Sequence, residues 1–146
     1  MKPLTSYGLA VGALLAIIVS CLASCATAAE AGPTAGPEGS WRLESLRGRS
    51  VPPGPEGVPT LRLAAGEASG TGACNDYGAA YELSAPDGIR FSEFWMTKMA
   101  CDDLELETDY FSVLEEVRRW RVADARLSLH DGNGAELAVF VPLAPD

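Results

Sequence analysis

Large apolar and polar side chains alternate along most of the chain from Trp41 onward, and this alternation predicts β-strands. A period of two places apolar side chains on one face of a strand and polar side chains on the other. Leu61 and Leu63, for example, flank Arg62. The pattern predicts strands at 41–46, 60–64, 80–83, 89–91, 127–129 and 137–141, with a further short segment around 68–70.

Turn residues divide these strands and indicate which of them pair. Pro86-Asp87-Gly88 separates two alternating runs, and Asp131-Gly132-Asn133-Gly134 separates two others. Each pair of runs is therefore predicted to form a hairpin. The segment 51–59 contains four prolines, which cannot donate ladder hydrogen bonds, so it is predicted to be an irregular loop.

A period of three and four residues between Asp103 and Trp120 predicts one amphipathic helix. Asp102 or Asp103 is expected to cap its N-terminus, and the order of charges along it suits the helix dipole. The apolar stripe consists of Tyr110, Phe111, Val113, Leu114, Val117 and Trp120, with Glu105 and Glu107 in the first turns and Arg118, Arg119 and Arg121 in the last.

The beginning of the chain has the pattern of an export signal. Lys2 precedes an apolar run at 9–19, which is shorter than the roughly 20 residues that span a bilayer, and small residues follow at once. Residues 1–24 are therefore predicted to be a signal peptide of the lipoprotein type.

Cys25, which ends Leu22-Ala23-Ser24-Cys25, is the predicted lipidation site. An apolar residue and two small residues before a cysteine resemble the lipobox of bacterial lipoproteins, whose cysteine sulfur accepts diacylglyceryl and becomes part of the new N-terminus. Palmitate is the expected acyl group. Two alternatives remain open: a weaker lipobox ending at Cys21, and ordinary cleavage after Ala26-Thr27-Ala28. The small, Pro- and Gly-rich residues 25–39 are predicted to form a flexible tether.

A lipid on Cys25 would hold the protein on a membrane, because each buried CH₂ of an acyl chain contributes ~0.8 kcal/mol. Ala26 and not Asp follows the cysteine. Resemblance to lipoproteins of Gram-negative bacteria then implies the outer membrane, with the domain facing the periplasm. If the ordinary cleavage site is used, the protein is expected to be soluble in the periplasm or secreted.

Composition narrows the range of partners. Of the 146 residues, 47% are hydrophobic, which allows one core once a signal peptide is removed. The 20 acidic residues against 11 basic ones give a net charge of -9, which repels phosphate backbones. Nucleic acid is therefore not an expected partner.

Cys74 and Cys101 are the two cysteines that remain after any cleavage. In an oxidising compartment such a pair normally forms a disulfide, here worth ~3 to 4 kcal/mol in the chain-entropy model. We predict a structural disulfide, with two buried free thiols as the alternative. A redox-active pair is not expected, since the spacing is not Cys-x-x-Cys.

Other residues that could carry chemistry each have an ordinary structural explanation. Asn75 and Asp76 suit a tight turn, and His130 is expected to be exposed beside a turn rather than paired with a cysteine nucleophile. The segment 131–134 lacks the remaining ligands of a calcium loop, so no metal site, cofactor or catalytic residue is predicted. Five aromatic residues are expected to fill the core, with a ligand cleft as the alternative: Trp41, Phe91, Phe94, Trp95 and Trp120.

Five short motifs, in order, resemble the META/HslJ-like family of small envelope and stress-associated proteins. Ala73 departs from the glycine that is usual in the family. The match covers about 41–141, so residues 40–144 are predicted to be a META/HslJ-like domain. The motifs are Trp41-Arg42-Leu43, Ala73-Cys74-Asn75 with Tyr77, Thr97-Lys98-Met99-Ala100-Cys101, Glu107 with Tyr110 and Leu114, and Leu127-Ser128-Leu129.

The resemblance implies an α+β fold, namely a small antiparallel, incompletely closed β-barrel with one amphipathic helix packed against it. It marks Asn75, Thr97 and Met99 as family motif positions and implies no catalytic residues. We therefore expect a non-enzymatic envelope lipoprotein with a stress-associated binding or support role toward an envelope protein or an apolar ligand. The alternative is a carrier or sensor that holds an apolar ligand in the cleft between helix and barrel.

Overall fold

The computed structural model describes residues 36–54, 57–101 and 104–143. All of them belong to one compact unit, Ala31–Asp146. The predicted signal peptide, Cys21, Cys25 and most of the predicted tether lie outside the described residues, and they stay predictions. Within the described part of the chain, no helix is long and apolar enough to cross a membrane.

Nine antiparallel strands form one sheet whose ends meet. The sheet order is β2-β1-β3-β4-β5-β6-β7-β8-β9, and β1 also pairs with β9, so the strands form a ring. The strands are β1 Gly39–Leu46, β2 Arg49–Ser50, β3 Thr60–Ala64, β4 Glu67–Thr71, β5 Asp76–Ser84, β6 Gly88–Met96, β7 Arg119–Ala123, β8 Arg126–His130 and β9 Glu136–Pro142.

The ring is incompletely closed between β6 and β7. These two strands are joined at a single pair of residues, Gly88 and Arg119. In contrast, β5 and β6 pair along nearly their whole length. The predicted fold class, an incompletely closed antiparallel barrel with one helix, is thereby confirmed.

The apolar positions of the alternating pattern fill the inside of the barrel. Both predicted hairpins, β5–β6 and β8–β9, are present, and 51–54 and 57–59 form an irregular loop without a strand. The core is contributed by almost every strand and by the helix; its most completely buried members are Leu43, Leu61, Leu63, Tyr77, Tyr110, Val113, Leu114, Val117, Leu127, Leu129 and Phe140.

The helix α1, Glu105–Glu116, is shorter than the predicted one. Its N-cap is Leu104, which makes no side-chain capping hydrogen bond, and no basic residue lies in its last turn. The prediction was wrong for 119–121, which belong to β7 and pair with β8. Trp120 stands three residues after Val117 and therefore fits a helical stripe, but Arg119 to Val122 also alternate with a period of two. Pairing with β8 favours the strand over the helix.

Candidate functional site

Glu107 lies on the buried face of α1 and is only 5% exposed. Its Oε2 atom accepts hydrogen bonds from the backbone N–H of Cys74 at 3.2 Å and of Asn75 at 2.7 Å. Its Oε1 atom accepts one from Asn75 Nδ2 at 2.7 Å. Hydrogen bonds to a charged acceptor contribute about 1.5 to 3 kcal/mol each, so Glu107 ties the loop before β5 firmly to the helix.

Asn75 extends this connection to the residues that follow β6. Asn75 is only 4% exposed, and its Oδ1 atom accepts hydrogen bonds from Thr97 Oγ1 at 2.9 Å and from the backbone N–H of Met99 at 2.7 Å. Thr97 Oγ1 in turn accepts one from the backbone N–H of Asp76 at 3.1 Å. The motif positions Asn75, Thr97 and Met99 therefore meet in one cluster with Glu107, which we call the Asn75–Glu107 cluster.

A disulfide bond joins Cys74 to Cys101, as predicted. The two Cα atoms are 6.4 Å apart and the residues are 27 positions apart in the sequence. The bond connects the same two chain segments as the Asn75 side chain. Segment 97–101 is therefore held to the barrel both by hydrogen bonds and by a covalent bond.

Two buried tyrosines lie behind this cluster. The hydroxyl groups of Tyr77 and Tyr110 are 2.8 Å apart, and both contact the carbonyl oxygen of Thr60, at 3.0 and 3.1 Å. Burial raises the pKa of both hydroxyls well above the ordinary value of 10.0. Both tyrosines are therefore neutral hydrogen-bonding groups at any physiological pH.

Gly72 is required by the close approach of loop and helix. A Cβ atom at this position would stand 2.9 Å from both Glu107 Cγ and Phe111 Cζ, closer than real Cβ contacts. The backbone N–H of Gly72 also donates to the carbonyl oxygen of Asn75 at 2.8 Å. A larger residue here would push the loop away from α1.

The outer side of the same region exposes large apolar residues. Trp95, Met96, Met99 and Leu104 are 59%, 42%, 58% and 45% exposed, and they make up four of the six exposed large hydrophobic residues of the described chain. We call these four residues the apolar edge. Exposed apolar surface concentrated in one place is typical of interaction sites.

Trp95 corrects the expectation that the aromatic residues fill the core. It lies opposite Gly78 on β5, and its indole occupies the space where a side chain at Gly78 would lie. Because Gly78 has no side chain, the indole can lie flat on the outside of the sheet. Trp41 and Phe91 are buried in the core as expected, whereas Phe94 and Trp120 are only partly buried against it.

A surface groove of about 520 Å³ lies between the segment 96–99 and α1. We call it the methionine groove, since Met96 and Met99 form one wall together with Thr97 and Lys98. The opposite wall is formed by Leu104 and by helix residues Glu107, Thr108, Phe111, Ser112 and Glu115. A second groove, of about 380 Å³, lies on the other flank of α1 beside the Arg49–Asp109 salt bridge.

His130 and Asp131 have local structural roles. His130 is part of β8, is half-buried where we expected exposure, and its Nε2 atom is 3.1 Å from Ser128 Oγ. The Oδ1 atom of Asp131 accepts hydrogen bonds from the backbone N–H groups of Asn133 and Ala135, both at 2.8 Å. The bond from Ala135, followed by that from Asn133, lowers the pKa of Asp131.

The polar groups of the site are used in contacts within the protein. Among the described residues, no buried side-chain nitrogen or oxygen atom lacks a hydrogen-bond partner. In the same ranges, no group of three or more His, Cys, Asp and Glu residues is placed to hold a metal ion. The arrangement is suited to fixing one loop conformation and to presenting the apolar edge.

The role of Glu107 was missed by reasoning from the sequence, which assigned it to the helix dipole. One signal pointed to burial. Glu107 precedes Tyr110 by three residues and Leu114 by seven, so it shares their stripe on the helix. A carboxylate on an apolar stripe indicates buried hydrogen-bond donors opposite it.

Solved structures with a similar fold include an NMR structure of a protein from Burkholderia xenovorans, with 24% identity and a TM-score of 0.59 over 74% of this chain and 83% of that one. A second NMR structure has 19% identity and a TM-score of 0.56 over 71% and 88%. The crystal structure of a DUF4847 family protein from Bacteroides vulgatus ATCC 8482 has 11% identity and a TM-score of 0.53 over 75% and 95%. These likenesses concern the fold alone.

No curated protein matches the chain. The META domain, however, matches residues 34–142, a range that contains every strand, the helix and the Asn75–Glu107 cluster. This agrees with the resemblance found in the motifs. The chain therefore belongs to the META domain family.

Proposed function

We propose that this protein is a non-enzymatic binding domain that a lipid on Cys25 tethers to the cell envelope, and that its partner is an envelope protein or an apolar ligand.

 The observation that carries the proposal is the apolar edge, which the Asn75–Glu107 cluster and the Cys74–Cys101 disulfide hold at the surface. Exposing large apolar side chains costs solubility, so a surface that fixes them in one place is suited to binding.

The disulfide supports a location outside the cytoplasm. Disulfide bonds form and persist in oxidising compartments such as the bacterial periplasm, whereas cytosolic thiols stay reduced. The predicted signal peptide 1–24 and tether 25–39 agree with that location, because a flexible, Pro- and Gly-rich segment leaves a lipid-anchored domain free to meet partners.

The anchor is tested by growing cells that express the full chain with radiolabelled palmitate. We expect label in the wild-type protein, none in Cys25→Ala, and full labelling in the matched control Cys21→Ala. Labelling that persists in Cys25→Ala would contradict the anchor. Protein that stays in the cytosol with residues 1–24 intact would contradict export as well.

The non-enzymatic part of the proposal rests on how the polar residues are used. The side chains of Glu107 and Asn75 form hydrogen bonds with each other, and Asn75 also accepts one from the backbone of Met99. His130 contacts Ser128. A catalytic nucleophile needs a base within hydrogen-bond reach and an orienting group behind that base. An enzymatic activity that disappears in His130→Ala, in a protein that still folds, would contradict this part.

The binding role, which we expect to be stress-associated, is tested by photo-crosslinking in intact cells. A photoreactive residue at Met99 on the apolar edge is compared with one at Glu67, which is exposed on β4. We expect a defined product from position 99 and none from position 67. Equal yields at the two positions would show that the apolar edge is no preferred contact.

A carrier of an apolar ligand is a second candidate, favoured by the lining of the methionine groove. Methionine side chains are flexible and polarisable and adapt to varied apolar ligands, and Phe111 adds an aromatic surface. Native mass spectrometry of the exported protein tests this role. A bound lipid or other apolar molecule would support it, and unliganded protein throughout would contradict it.

A further inference from the structure

The outer edge of β6 is open beyond Ile89, whose N–H donates to the carbonyl oxygen of Arg118 at 3.0 Å. Thr97 N–H donates to the carbonyl oxygen of Asp76, in line with the pairing of Trp95 with Gly78. Backbone groups of neighbouring residues in a strand point in opposite directions, so the N–H and C=O of Met96 point away from β5. Since β7 pairs with β6 only at Gly88, no described strand receives them.

The methionine groove runs beside this open edge. Met96, whose backbone groups point away from β5, lines its strand wall, and the exposed residues Met96 and Met99 provide apolar surface there. Across the groove, Leu104 and Phe111 add apolar surface from the start and the middle of α1. An extended peptide in the groove would therefore meet a strand edge on one side and apolar side chains on both.

Charge selects among the occupants that such a groove could take. The sequence of α1 contains five acidic residues and no basic one. Two of them form salt bridges, Asp109 with Arg49 and Glu116 with Arg47, whereas Glu115 lines the groove without an ion pair to any described residue. With a net charge of -9, a second copy of the chain would be repelled.

We propose that the methionine groove binds an extended, apolar and positively charged segment of a partner protein, which adds as a strand to the outer edge of β6. The inference rests on the proposed binding function and names its partner class and its mode. Backbone hydrogen bonds to Met96 provide affinity, as in other cases of strand addition. Apolar side chains of the segment contact Met99 and Phe111, and a Lys or Arg pairs with Glu115.

The test uses a library of random peptides displayed on phage, selected against the exported full-length protein with its disulfide intact. We expect the selected peptides to share alternating apolar residues and at least one Lys or Arg. Binding should slow hydrogen exchange at the amide of Met96 and leave that of Trp95, which faces β5, unchanged. Methylating the one peptide nitrogen that pairs with Met96 should abolish binding.

Variants of the protein separate the groove from the rest of the surface. Met99→Ser should weaken binding of a selected peptide about tenfold through lost apolar contact. Glu115→Gln should weaken it about twofold to fivefold, the range of an exposed ion pair. The matched control Glu67→Gln removes the same charge from exposed β4 and should leave the affinity unchanged.

Three results would overturn the proposal. Peptides that bind Met99→Ser as well as wild type would place the contact elsewhere, and unchanged exchange at Met96 would exclude strand addition. A dimer or a bound lipid that Met99→Ser releases would assign the groove to another occupant. Crosslinks in cells at other surfaces would contradict this inference but not the proposed binding function. Loss of the lipid anchor alone would contradict the proposed anchor but not this inference.

Discussion

Asn75 and Glu107 are 4% and 5% exposed, whereas Trp95 and Met99, within the same part of the fold, are 59% and 58% exposed. In this part of the fold, polar side chains are buried on the inner side and apolar side chains are exposed on the outer side, which is the reverse of the usual distribution. On the inner side, buried polar atoms all have partners. On the outer side, the two apolar side chains are more than half exposed, although the backbone of Met99 is fixed by its hydrogen bond to Asn75. We expect the inner side to determine stability, and we propose that the outer side is used for binding.

The largest loss is expected from Glu107→Ala. It removes the acceptor of three hydrogen bonds and leaves the N–H groups of Cys74 and Asn75 and the Asn75 amide without it. Breaking such a buried polar contact lowers the free energy of unfolding by about 3 to 5 kcal/mol. Urea denaturation measures it. Glu115 is exposed on the same helix, so Glu115→Ala is the control, with an expected loss below about 0.5 kcal/mol. Equal losses in the two variants would show that the inner side has no special role in stability.

Replacing both disulfide cysteines should have the next largest effect. The Cys74→Ser, Cys101→Ser double variant loses the constraint on a loop of 27 residues, about 3.5 kcal/mol in the chain-entropy model. Denaturation with and without reductant measures it. Reductant should destabilise the wild type and leave the double variant unchanged; a wild type that does not respond would contradict the bond.

The buried tyrosine pair predicts a loss of stability at high pH. The pKa values of Tyr77 and Tyr110 are raised in the folded state, so the stability they provide is complete below the unfolded pKa near 10.0 and falls as pH rises toward the folded values. Each tyrosine should contribute a slope of about 1.4 kcal/mol per pH unit there. Denaturation measured below and above pH 10.0 checks it, with the decline beginning near that pH. If the Tyr77→Phe, Tyr110→Phe double variant kept the same dependence of stability on pH, the dependence would belong to other groups.

The smallest change in stability is expected on the outer side. Met99→Ser removes a side chain that is 58% exposed and keeps the backbone N–H that donates to Asn75 Oδ1. The free energy of unfolding should change by less than about 0.5 kcal/mol. A loss comparable to that of Glu107→Ala would mean that the apolar edge is part of the core, and the comparison between the two sides would fail.

Much of the fold could be predicted from the sequence because local patterns determined it. The alternation at 60–64, the hairpin turn at 131–134 and the stripe of Tyr110 and Leu114 each specify an element without help from the rest of the chain. The Cys74–Cys101 bond could be predicted because two cysteines remain after the expected cleavage and the expected compartment is oxidising.

Features that depend on a distant partner could not be predicted. Trp95 lies outside because Gly78, on the neighbouring strand, leaves room for its indole. The helix ends at Glu116 because β8 pairs with the residues that follow. Glu107 is buried because the loop at 74–75 brings N–H groups to it. Each of these depends on residues far away in the sequence, which periodicity does not detect.

The amide hydrogen exchange rate of Met99 tests the central claim most directly, because this residue belongs to both sides. Its side chain is exposed, yet its N–H donates to the buried Asn75 Oδ1 atom at 2.7 Å. We predict exchange slowed roughly a hundredfold or more in the exported protein, equivalent to about 2.8 kcal/mol, and much less slowing in Asn75→Ala. Exchange of the wild-type Met99 amide at the rate of an unstructured peptide would contradict a fixed apolar edge.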